Sequence, residues 1–188
     1  MSKHLWDGDI FEHKGRKYRV RFEHDDSHGA PWEECDGHGV VSDWTTRDKA
    51  PGERVLASDR SSKRYYDVCE TAKIAKKDGW GLGNDELAKL AQSLGRMPTK
   101  KEIVARAVDN DFEYMRAWCN GEWHYCGVVV SHCESDETES LWGIEDNEYD
   151  YLAEVARELA DEISSRLDDI MAQEIQESRP DMVPCVQT

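Results

Sequence analysis

Trp123-His124-Tyr125-Cys126-Gly127-Val128-Val129-Val130-Ser131-His132 is the most strand-like stretch of the chain. Its Val128-Val129-Val130 run is apolar at every position rather than at alternate ones, the mark of a strand that is central in a sheet or covered on both faces. Upstream, Asn120-Gly121 suits a tight turn that ends a helix. Downstream, the acidic segment Glu134 to Glu139 leads back through Ser140-Leu141-Trp142-Gly143-Ile144, which makes a hairpin. A second hairpin is read near the start: Ile10-Phe11-Glu12-His13 and Lys17 to Glu23 flank Lys14-Gly15-Arg16. In it Tyr18, Val20 and Phe22 face one way and Lys17, Arg19 and Arg21 the other, so one face is solvated and basic.

Helices fill much of the rest. The spacing predicts one over 61–78, capped by Ser61 or Ser62, with Tyr65, Val68, Cys69, Ala72 and Ala75 on one face and Gly79 as a left-handed stop. A second runs from Asn84, as cap, to Leu94, with Gly95 as stop. Thr99 and Glu102 then have capping-box spacing for a third, with the stripe Ile103, Val104, Ala107, Val108, Phe112, Met115 and Trp118. A long final helix is predicted over about 148–177, with Leu152, Val155, Ala156, Leu159, Ile163, Leu167, Ile170 and Met171 on one side and acids on the other. Pro180 and Pro184 mark a frayed end. Residues 24–52 show no periodicity but carry Trp32, Val40, Val41 and Trp44, too apolar for a disordered linker, and Glu53 to Ala57 is a further short strand.

The order is ββ–loop–β–ααα–ββ–α. It predicts an α+β fold: an antiparallel sheet of about five strands packed by helices, with a long acidic C-terminal helix. Residues 1–146 read as a single domain, and 147–188 as the acidic amphipathic helix and tail packed on it.

Charge separates along the 188 residues. The net charge is −16, yet residues 134–181 hold 17 acids against 3 bases, and residues 1–133 hold 23 acids against 21 bases. Such a segment repels nucleic-acid backbones and membrane surfaces and attracts basic proteins. No apolar run reaches the roughly 20 residues a membrane span needs, and Met1 to Asp7 has no signal-peptide core. The expectation is a cytoplasmic protein. The six cysteines, Cys35, Cys69, Cys119, Cys126, Cys133 and Cys185, are then free thiols rather than disulfides.

The densest cluster of reactive side chains is the loop His24-Asp25-Asp26-Ser27-His28-Gly29-Ala30-Pro31-Trp32-Glu33-Glu34-Cys35-Asp36-Gly37-His38-Gly39. Cys35 and His38 form half of a zinc-type ligand set, which His124 and Cys126, sharing one face of a strand, or His132 and Cys133 could complete. A hydrolytic site would draw on His28, Glu33, Glu34, Asp36 and His38. Packed loop residues explain the same cluster without chemistry: a buried Cys35, with His28 and His38 bonded to loop backbone. No nucleophile elbow, P-loop or H-E-x-x-H occurs. The helix–turn–helix spacing around Gly95 to Thr99 brings Lys100, Lys101 and Arg106 together, but Asp109, Asp111 and Glu113 follow at once and oppose DNA. The mild basic patch over 47–77, Arg64 among its members, could contact a phosphate ligand, but internal pairing with the acidic helix is the favoured expectation.

The run Gly29-Ala30-Pro31-Trp32-Glu33-Glu34-Cys35-Asp36-Gly37-His38-Gly39-Val40-Val41-Ser42-Asp43-Trp44 resembles a signature of small proteins from tailed phages and prophages. The resemblance continues through Lys49 to Leu56, Tyr65-Tyr66-Asp67, Arg116 to Asn120, Gly127 to Val130, Glu139 to Glu145 and Ala153 to Glu162, with residues 82–103 as an insertion. It implies a phage accessory protein acting in the bacterial cytoplasm, and carries over no catalytic residue.

The sequence therefore favours a non-enzymatic protein that binds a host or phage protein with a basic surface, such as a defence or nucleic-acid-processing complex. The surface would be Glu148, Asp150, Glu154, Glu158, Asp161, Glu162, Asp168 and Asp169, acting as a possible nucleic-acid mimic. His28, Trp32, Glu33, Glu34, Asp36 and Trp44 form a second candidate set in the loop. Direct nucleic-acid or membrane binding is not expected. A zinc-type or hydrolytic loop site, and a homodimer through the final helix stripe, are the alternatives.

Overall fold

The computed structural model describes residues 4–177. In chain order the elements are β1 (Ile10–His13), β2 (Arg16–His24), α1 (Pro31–Glu34), β3 (Val40–Val41), β4 (Glu53–Asp59), β5 (Ser62–Asp67), α2 (Val68–Asp78), α3 (Asn84–Leu94), α4 (Lys100–Cys119), β6 (Tyr125–His132), β7 (Thr138–Glu145) and α5 (Tyr149–Glu177). The fold is α+β, as expected. Its strands, however, form two sheets, a four-stranded one ordered β1-β2-β6-β7 and a three-stranded one ordered β3-β5-β4. The chain correspondingly divides into two compact units. One comprises residues up to Asp26 and from His124 onward, and the other, Ser27–Trp123, is inserted between β2 and β6. The sequence suggested one domain over 1–146 with the acidic helix packed on it. Here that helix belongs to the first unit.

In the first unit every strand pairing is antiparallel. The β1–β2 turn places Lys14 and Gly15 both at positive φ, 49° and 77°, the conformation whose twist suits a two-residue hairpin. β6 lies in the interior of the sheet, which is why Val128, Val129 and Val130 are all buried. On one face Tyr18, Val20, Val128, Val130 and Ile144 meet Leu152, Val155, Leu159 and Ile163 of α5 in a continuous core. On the other face the Trp142 ring lies so close over Gly127 that a Cβ there would meet it at 2.4 Å. The α5 stripe is buried only as far as Ile163 and partly at Leu167. Ile170 and Met171, expected on the same buried stripe, are exposed. The frayed end at Pro180 and Pro184 lies outside the described residues.

The inserted unit buries Leu56, Tyr66, Ala75, Val108, Phe112 and Met115 between its sheet, α2 and α4. The helix predicted from Ser61 or Ser62 starts only at Val68, because Ser62–Asp67 pairs with β4 as strand β5. Two consecutive buried aromatics, Tyr65 and Tyr66, favour the pleated form, in which neighbours point to opposite faces. The cap is Asp67, whose carboxylate accepts the Glu70 N–H at 2.9 Å. Gly79, at φ 73°, ends α2 as expected. In α3 the cap is Gly83 rather than Asn84. The aperiodic 24–52 segment gains short order from α1 and β3.

The Thr99–Glu102 capping box of α4 is present, and Arg96 adds a fork on the same carboxylate at 2.6 and 3.0 Å. The Arg96 bonds, reinforced by those from Thr99, hold the Glu102 carboxyl down at about 2. A lowered carboxylate stabilises the fold above its ordinary range and loses that contribution as pH falls through the folded value. Arg96→Gln should therefore move the Glu102 titration midpoint, read by carboxyl carbon NMR, from about 2 toward 4.5. An unchanged midpoint would show that Arg96 does not set it.

Candidate functional site

The loop residues singled out in the sequence do not form one constellation. His24, Asp25 and Asp26 belong to the first unit, where the His24 ring meets His124 edge-on at 5.4 Å and the buried Asp25 carboxylate accepts the Gly143 N–H at 3.0 Å. The remainder belong to the inserted unit. Glu33 and Glu34 turn back on the loop itself: Gly29 N–H donates to Glu34 at 2.8 Å and Ala30 N–H to Glu33 at 3.4 Å. Trp32 packs edge-on against Trp118, with ring centres 5.4 Å apart. Cys35, read as a buried thiol, is exposed, as is Asp36.

His38 is the loop residue with a built environment. Its Nδ1 lies 2.7 Å from Asp111 Oδ1, and its ring stacks on Tyr114 at 5.5 Å and 8°. The other Asp111 oxygen accepts from Gly39 N–H at 2.9 Å and from the Tyr66 hydroxyl at 2.7 Å. Next along the chain, Val40 N–H donates to the buried Thr71 hydroxyl at 2.9 Å. Burial, then the Asp111 bond, push the Tyr66 phenol up, so it remains a neutral donor. Gly39 is required here, since a Cβ would sit 2.4 Å from the Tyr66 ring and hydroxyl. These groups satisfy one another and fasten the loop to α4. Asp111 was read from sequence only as an acid opposing DNA. A signal existed, because Asp111 precedes the core residue Phe112, but the neighbouring Asp109 and Glu113 hide it.

The metal reading fares differently. Cys35 and His38 lie in one unit, His124 and Cys126 in the other. His38 faces Asp111, and Cys126 is part of the first unit's core, where burial pushes its thiol up to about 11. Among the described residues no group of three or more His, Cys, Asp or Glu is arranged to hold a metal ion.

The acidic helix α5 separates into two kinds of carboxylate. Asp161 takes Lys14 at 2.5 Å and His13 at 2.7 Å, and these bonds hold its carboxyl below the usual carboxylate range. Asp168 takes Arg16 at 2.6 Å, and Asp150 approaches His4 at 3.5 Å. The Arg16 guanidinium also donates to the Ser164 carbonyl at 3.3 Å, beside a buried Tyr18–Ser164 hydroxyl contact of 2.6 Å. Glu148, Glu154, Glu158, Glu162 and Asp169 are exposed and, among the described residues, form no ion pair. Glu154, Glu158 and Glu162 recur every four residues, so they form a row on one helix face with a step of about 6 Å. Beyond them Ile170, Met171 and Ile175 are exposed. The basic patch over 47–77 finds acids in its own unit: Arg47 pairs with Glu53, Arg54 with Asp109 and Glu113, and Lys73 with Glu70.

The class defined so far is an α+β protein of two units, one presenting an acidic helix and the other a pinned loop. Comparison of the chain with protein-family models, with curated proteins and with solved structures returns no match. No helix among the described residues is long and apolar enough to cross a membrane.

Proposed function

We propose that this is a non-enzymatic binding protein whose α5 surface docks on a basic protein. The observation that carries the reading is the row Glu154, Glu158 and Glu162, continued by Asp169, exposed and without cations of its own. Unpaired like charges along a helix face cost stability unless a partner supplies the opposite charge. Complementary charge across an interface also speeds association and selects the partner. The phage-protein resemblance gives the partner a context, a host complex that handles nucleic acid in the bacterial cytoplasm.

Truncation of α5 is the wrong test, since Leu152, Val155, Leu159 and Ile163 belong to the first unit's core. Glu154→Lys, Glu158→Lys and Glu162→Lys together leave that core intact. Capture from host lysate by the wild type is expected to retain a protein with a basic surface at low salt, and the triple variant is expected to lose it at least tenfold. Equal capture by both forms would refute the acidic-row reading. A second reading rests on Ile170, Met171 and Ile175, whose exposure suits pairing of α5 with a second copy. Sedimentation showing a monomer at high concentration removes it.

A further inference from the structure

Four arginines of the inserted unit lie over aromatic rings, and one of them differs from the others. Arg116 lies 5.5 Å from the Phe112 ring centre and is paired with Glu113. Arg47 lies 4.8 Å from the Tyr65 ring centre and is paired with Glu53. Arg54 lies 3.6 Å from that of Phe112 and is paired with Asp109 and Glu113. Arg64 has the most aromatic setting, 5.0 Å from Trp32 and 5.2 Å from Trp44, and among the described residues no carboxylate answers it. Its Nε is buried with no hydrogen-bond partner. In a chain of 40 acids and 24 bases, acids are in surplus. Of the arginines set over rings, Arg64 is the one that none of these acids answers among the described residues. The Cys119 thiol, near enough to feel Arg64, does not supply the negative charge, because burial pushes it up and keeps it neutral.

A guanidinium held against two indoles keeps its planar fork oriented, and its N–H edge matches an oxyanion. The walls are firm on one side, where Trp32 is itself braced by Trp118, and open on the other, where Trp44 is 46% exposed. Strand β5 fixes the base of the side chain through its pairing of Arg64 with Ala57. We propose that Arg64, Trp32 and Trp44 form an oxyanion-binding site that takes the phosphate or carboxylate group of a small ligand on the guanidinium edge, with Trp44 packing against the ligand's remainder. The site is independent of the α5 surface.

The test is NMR of the full chain, following the arginine Nε–H and tryptophan indole N–H signals at constant ionic strength. Inorganic phosphate and acetate are titrated separately, with Arg64→Lys assigning the Arg64 signal and the exposed turn residue Arg60 as the control. The expected result is a saturable shift of Arg64 and Trp44 with a millimolar midpoint, and no matching shift at Arg60. Saturation by phosphate alone assigns a phosphate ligand, by acetate alone a carboxylate ligand, and by both a general oxyanion site. Drift that does not saturate, or that equals the drift at Arg60, overturns the proposal. Trp44→Ala is expected to weaken the midpoint at least fivefold with the helical circular dichroism unchanged, and an unaltered midpoint would overturn the role of the second indole. Should the variants fail to fold, the wild-type titration still decides.

Discussion

Asp111→Ala is expected to lower stability by about 3 kcal/mol, because it removes three hydrogen bonds and leaves partly or fully buried donors short of an acceptor, the Tyr66 hydroxyl keeping only a long 3.4 Å bond to the Val108 carbonyl. The carboxylate is 9% exposed and serves His38, Gly39 N–H and Tyr66 together. Tyr66 is fully buried, so its hydroxyl has no access to water in compensation. For a chain of this size the change corresponds to a melting temperature lower by about 6–12 °C. Asp109→Ala, two residues earlier, is the control. Its carboxylate is 54% exposed and pairs with Arg54, so the expected change is under about 1 kcal/mol. Thermal unfolding of the two variants beside the wild type makes the comparison. Equal melting of all three would show that the loop is not fastened through Asp111.

The second large effect concerns α5. Ile163→Ala empties a fully buried position where the helix meets the sheet, and is expected to cost about 2–5 kcal/mol. Ile170→Ala, two turns later at a residue 41% exposed, is expected to change stability by less than about 0.5 kcal/mol. Denaturant unfolding measures both. Comparable losses would mean that the distal turns are covered in solution, which is the behaviour of an α5-mediated dimer.

Most of the local structure was legible. Period-two alternation at Tyr18, Val20 and Phe22 identified β2, the unbroken valine run identified β6, and Thr99 with Glu102 fixed the start of α4. The misread segment is instructive. Tyr65, Val68, Cys69, Ala72 and Ala75 fit a helical spacing, yet Tyr65 belongs to a strand, because pairing with β4 and burial of both tyrosines outweigh local period. The division into units was not legible, since it rests on the pairing of β2 with β6 across the whole insertion. The acidic helix was found from charge alone, but charge could not distinguish Asp161 and Asp168, answered by Lys14 and Arg16, from Glu154, Glu158 and Glu162. Those bridges depend on a hairpin more than a hundred residues away. Arg64 was legible only as one member of a basic patch, because what sets it apart is the pair of indoles around it.

The insertion also bears on the order in which the chain assembles. His24 and Cys126 are register partners in β2 and β6, so the central pairing of the first sheet must close a loop of 101 residues. For a flexible chain, the length-dependent part of that closure costs about 4 kcal/mol, and pairings of such separation form slowly. Every strand pairing of the inserted unit lies within 28 residues of sequence, between Val40 and Asp67. Early folding there shortens the effective loop before β2 and β6 meet. A lesion such as Asp111→Ala would then slow the pairing of a sheet to which Asp111 does not belong, and the refolding rate of the first unit would register damage done in the second.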